Sequence, residues 1–111
     1  MKIAIALAAC LAAGTASAEF LSGNDLLALL RSQERQERVA ADGYIMGVHD
    51  AGRGAVHCSP QSVNLTQVRD LSTQFITAAT ASRHKSADSL ILVVLAEAFP
   101  CPKRQSKGGE V

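Results

Sequence analysis

Apolar residues recur at helical spacing through four stretches of the chain, with polar or glycine-bearing segments between them. Leu26, Leu27, Leu29 and Leu30 form the first stripe. Asn24 stands ahead of it as a capping residue and Asp25 suits the first turn, so a helix is expected to start near Asn24. The run Arg31 to Arg38 is polar throughout and reads as a solvated helix face, with Glu34 and Arg38 ordered for an i,i+4 pair. A second helix is expected from about Val39 to Gly52, with Tyr44, Ile45, Val48 and Ala51 on its buried side. Gly43 and Gly47 lie side by side on that helix, where a neighbouring backbone can approach. Gly52 and Gly54 supply the left-handed conformations that end it.

Beyond a loop from Arg53 to Asn64, Asn64 and Gln67 have the spacing of a capping box. A third helix follows from about Leu65 to Ser82, with Val68, Leu71, Ser72, Phe75, Ile76 and Ala79 inward and Arg69, Asp70, Thr73, Gln74 and Thr77 outward. Arg83-His84-Lys85 makes a basic joint, and Ser86 caps the last helix. Leu90 to Leu95 is apolar all round, which marks the most buried element. A buried strand is the rival for those six residues, but Ala96-Glu97-Ala98 continues the segment past strand length until Pro100 stops it. The pattern predicts an all-α fold, a small single-domain bundle of about four helices.

The N-terminus changes the picture. Residues 1–18 carry one positive charge at Lys2, an apolar run from Ile3 to Ala13 and the triplet Ala16-Ser17-Ala18, the layout of a signal peptide cleaved after Ala18. The run is too short for a bilayer span, which takes about 20 apolar residues. Leu7-Ala8-Ala9-Cys10 offers the alternative of a lipoprotein box with Cys10 lipidated. Export leaves a domain over residues 19–102, whose Phe20 and Leu21 are expected to tuck against the core. A polar tail at 103–111 is expected to be disordered. Without Cys10 the remaining cysteines are Cys58 and Cys101, and an oxidising compartment joins them. A domain of this size is marginal on its core alone, and closing so long a loop is worth roughly 4 kcal/mol.

Charge and chemistry narrow the function by exclusion. Of eleven Lys/Arg in the chain one is Lys2, so the exported part has ten against ten Asp/Glu. Neutrality argues against nucleic acid, or a membrane after cleavage, as partner. Tryptophan is absent and aromatics make up 4%, which leaves few stacking platforms. The three histidines lack ligand spacing, so no metal is expected, nor any cofactor. No serine sits in a G-x-S-x-G turn, and His57-Cys58 is a disulfide half before it is a thiol and its base. No catalytic residue is expected. A helical domain of this kind works by binding, and the loop around Gly52-Arg53-Gly54 either carries a contact or merely turns the chain.

Four pieces in order carry a resemblance: Phe20-Leu-Ser-Gly-Asn-Asp-Leu-Leu, Asp42-Gly-Tyr-Ile-Met-Gly-Val, His57-Cys-Ser-Pro with Gln67-Val-Arg-Asp, and Ala98-Phe-Pro-Cys-Pro. Together they resemble the immunity proteins of type VI secreting bacteria that neutralise peptidoglycan amidases, the Rap/Tai family. The resemblance implies a small all-α periplasmic protein, often a homodimer, that plugs the cleft of a papain-like amidase and is not itself an enzyme. Many members carry two further cysteines at places occupied here by Leu30 and Ala41. If a cleft is plugged, the expected contacts are His49, Asp50, Arg53 and His57 around the loop, and Arg69, Asp70 and Thr73 on the third helix. Dimerisation is expected through the Gly43/Gly47 face. The alternatives are an exported envelope protein or lipoprotein without a toxin partner, and a thiol enzyme using Cys58.

Overall fold

A computed structural model describes residues 20–103; the expected leader, with Cys10, and the expected tail beyond Lys103 lie outside them. Among the described residues there are four helices and no strand: α1 (Gly23–Leu30), α2 (Arg35–Gly52), α3 (Leu65–Ala78) and α4 (Ala87–Ala98), with a 3-10 turn at Thr80–Ser82. The fold is the four-helix, all-α bundle that the periodicity predicts, with Cys58 bonded to Cys101.

The start of α1 is earlier than expected because Ser22, and not Asn24, caps it. Asp25 N–H donates to Ser22 Oγ (3.0 Å), and Ser22 N–H donates back to the Asp25 carboxylate (3.1 Å). Gly23 is needed there, since a Cβ would lie 2.7 Å from Leu90 Cδ1 and 2.9 Å from the Arg83 carbonyl oxygen. The free N–H groups of this first turn find acceptors in the joint before α4. Gly23 N–H donates to Lys85 O and Asn24 N–H to Arg83 O (both 2.9 Å), while Ala87 N–H donates to Leu21 O (2.8 Å). The basic joint is therefore used through its carbonyls. Leu21 packs on the core, but Phe20 is exposed, contrary to expectation.

Other helix ends differ modestly. α2 begins at Arg35, four residues before Val39, so half of the charged run is its solvated first turn. The expected Glu34–Arg38 pair does not form; Arg38 instead donates to the Ser32 carbonyl (2.8 Å). Asn64 and Gln67 form their capping box, with bonds of 3.0 and 2.9 Å. α3 stops at Ala78, and the remaining residues to Ser82 tighten into the 3-10 turn. Its buried residues, Val68, Ser72 and Ile76, all belong to the expected inner face.

The core gathers Leu26 and Leu27, Ala41 and Ile45, Val68 and Ile76, and Ala87, Leu90, Ile91 and Leu95. α4 packs on all three other helices, which explains its apolar run. The run is not buried all round, for Val93 is exposed. Burial on α2 falls on Ala41, Ile45, His49 and Gly52, a face rotated from the expected one. Tyr44 and Val48 are only half-buried and Ala51 is exposed. Gly52 is inside the helix and not left-handed; its lack of a Cβ admits Leu92, whose Cδ2 would lie 2.5 Å away. The helix ends in extended backbone at Arg53, and Gly54 takes the positive φ of 86°.

The loop after α2 is clasped to the end of α4. Cys58 N–H donates to Phe99 O (2.8 Å) beside the Cys58–Cys101 bond, which spans 43 positions. In the chain-entropy model, closing that loop stabilises the fold by about 4 kcal/mol. Cys101→Ser should lower the unfolding free energy by about that amount in urea titrations of the oxidised protein. An unchanged midpoint would show that the clasp contributes nothing.

Candidate partner-binding surface

The segment Arg53–Pro60 is short, glycine-bearing and held at both ends. Past Gly52 the backbone folds on itself: Val56 N–H donates to Gly52 O (2.8 Å), Ala55 N–H to the same oxygen (3.1 Å), and Gly54 N–H to His57 O (2.7 Å). These bonds satisfy the helix's last carbonyl, Gly52 O, and close a tight turn whose tip, Arg53 to Val56, is exposed.

Beneath the tip lies a buried polar chain. His57 is fully buried, and its Nε2–H donates to the His49 carbonyl (2.8 Å). That fixes the tautomer, leaving Nδ1 to accept the Ser59 N–H at 3.4 Å. His49 donates Nδ1–H to the Asp50 carboxylate (3.0 Å), so in its neutral form Nε2 accepts the Ser59 hydroxyl at 2.7 Å. The two rings lie 4.7 Å apart, tilted by 41°. Arg53 Nε donates to Ser59 O (2.9 Å), which adds a charged side chain to the lock. Burying two imidazoles costs free energy unless their nitrogens are paired, and here all four are.

Asp50, His49 and Ser59 have the connectivity of a hydrolase relay. Ser59 is only 2% exposed, however, and its hydroxyl is covered by the loop, so no substrate reaches it. The constellation ties the loop backbone to α2. Cys58 is equally committed, its sulfur being bonded to Cys101. Among the described residues no group of three His, Cys, Asp or Glu could hold a metal ion, and no helix is long and apolar enough to cross a membrane.

The family model of Rap1a immunity proteins matches residues 22–101. The chain belongs to that family. No individually curated protein matches it. The match opens at Ser22, the cap of α1, and closes at Cys101, the second half of the clasp, so the family unit coincides with the covalently closed bundle. Membership makes this chain a type VI effector immunity protein, of a family that binds an effector protein and is generally non-enzymatic.

In this immunity protein the expected contact residues divide into three settings. Asp50 and Arg53 are exposed at the loop, whereas His49 and His57 are interior and hold the loop from below. Asp70 is exposed on α3, with Thr73 half-buried beside it. Arg69 is partly covered and donates Nε–H to Asp42 Oδ1 (3.0 Å). Asp42 lies ten residues before Gly52, the last residue of α2, so the base of the loop and the Asp42–Arg69 pair are about 15 Å apart along the helix axis. The role of Ser59 has no local signal, because it depends on a histidine ten positions earlier.

The face first read as core borders an open, mainly apolar groove of about 450 Å³. Gly43 and Gly47 floor it, with nothing within 4 Å of where a Cβ would stand, and Tyr44, Val48 and Leu92 wall it. Asp88 is the groove's charged residue. Burial raises the Tyr44 phenol above its ordinary pKa of 10.0, the Asp88 carboxylate adds to the rise, and the Asp88 backbone opposes it. The fold thus favours the protonated phenol. Its contribution is complete below the unfolded pKa near 10 and is lost as pH rises through the higher folded value. Absorbance titration should place Tyr44 above 10.0, and Asp88→Asn should lower the midpoint by removing the like charge. A midpoint unmoved by the substitution would exclude that coupling.

Proposed function

We propose that this chain acts in the periplasm, cleaved after Ala18, as the immunity protein that binds a type VI secreted peptidoglycan amidase and blocks its cleft. Family membership supports an effector-binding role, and the leader motif over residues 1–18 supports export. The observation that carries the cleft-plugging reading is the exposed tip Arg53–Val56 above a fully paired buried lock and a disulfide. A projection held this way loses little conformational freedom on insertion, so more of the contact energy appears as affinity.

Protein purified in its exported form should inhibit, at one-to-one stoichiometry, the amidase encoded nearest its gene in a cell-wall digestion assay. Ala55→Arg at the tip should weaken inhibition about tenfold or more while thermal unfolding stays put. Absence of both inhibition and binding by the parent protein would sink the amidase reading and leave an exported envelope protein without a toxin partner.

We also propose that the protein is a homodimer, with the Gly43/Gly47 groove covered by a second copy. Two small residues four apart let two helices approach closely, and the apolar groove would otherwise face water. Sedimentation should give twice the chain mass, and Gly47→Glu, placed in open space, should give the monomer. A monomeric parent protein would remove the proposal.

A further inference from the structure

A second cleft lies on the other side of α2 and has a different chemistry. It measures about 220 Å³ and is lined by Leu30 from the end of α1, Arg38 and Asp42 from α2, and Arg69 from α3. Two arginines from different helices therefore line one cleft with a carboxylate. Arg69 spends Nε on Asp42 and Arg38 spends NH1 on the Ser32 carbonyl. Among the described residues these are the side-chain hydrogen bonds the two arginines make. Each fork is thus pinned by one bond and keeps donors for a ligand, which is the arrangement in which arginine binds carboxylates in pairs of parallel bonds.

The charge balance selects the ligand. Two cations against Asp42 leave one positive charge, which suits a monoanion and is weak for a dianion. Asp42 also repels an excess of negative charge at the same spot. Leu30 gives the cleft an apolar wall against which a methylene stem can lie. We infer that the Arg38–Arg69 cleft is a carboxylate-binding subsite that receives an acidic side chain of the partner protein. That the carboxylate belongs to an effector rests on the immunity role; that the cleft prefers a carboxylate does not.

The test is made on the exported protein alone, so its outcome is independent of the amidase assay. The probe is N-acetylglutamate α-amide, which carries a single side-chain carboxylate, titrated into 15N-labelled protein at constant ionic strength held with chloride. The Nε–H signals of Arg38 and Arg69 should shift and saturate with this acid, and stay still with the neutral glutamine analogue. Arg38→Gln and Arg69→Gln should each weaken the response about fivefold or more. Asp42→Asn should strengthen it, because it frees Arg69 and removes the competing charge, a gain that a merely misfolded variant would not produce. Equal shifts from the acid and the neutral analogue would overturn the proposal. So would tighter binding of inorganic phosphate than of the carboxylate, or a response unaltered by both arginine substitutions.

Discussion

The clasp between the α2–α3 loop and the end of α4 is the constraint on which the rest of the molecule depends. α4 packs on the three other helices, and the segment just past its end is joined to Cys58 by the Cys58–Cys101 disulfide and by the Cys58 N–H to Phe99 O bond. A bundle of this size buries a modest core, so removing loop entropy from the unfolded chain is a large fraction of its stability. The same clasp anchors the exposed tip Arg53–Val56. The covalent anchor stands two residues past Val56, and the tip is left to solvent.

Inside the clasp, polar groups take the place of apolar packing. His49, His57 and Ser59 are interior, yet each has a partner, so their burial fixes geometry without leaving an orphaned donor. An Asp-His-Ser connectivity that would suggest hydrolysis on an open surface acts here as a fastener, because access and not connectivity decides chemistry. The contrast with the two clefts flanking α2 is instructive. One is apolar with a single carboxylate, the other is lined by two arginines and a carboxylate, and both remain open to solvent. One helix thus presents three environments around its circumference: core, apolar groove and charged cleft.

Much of this was legible in the sequence wherever the cause was local. Helix number and order follow from 3.6-residue periodicity, and the Asn64–Gln67 cap is a three-residue motif that needs no tertiary partner. The cap of α1 was misplaced by two residues because Gly23 reads as a loop residue until Leu90 and the Arg83 carbonyl close over it. The face of α2 was misread for a related reason. Histidine and glycine count as polar or neutral in a pattern, so Tyr44, Val48 and Ala51 outweighed His49 and Gly52, which the fold buries. Of the residues expected at the contact surface, Asp50, Arg53 and Asp70 are exposed, Arg69 and Thr73 are partly covered, and His49 and His57 are hidden.

The sequence by itself determined four helices and the pairing of the two cysteines that lie outside the expected leader, because spacing, caps and cysteine count are properties of a one-dimensional string. Only the tertiary structure decided which side of α2 faces inward and what its histidines do. Those outcomes turn on partners far away in the chain: Ser59 for His49, Leu92 for Gly52, Arg69 for Asp42. A buried polar group is stable only if its partner arrives, and arrival is a fact of three dimensions.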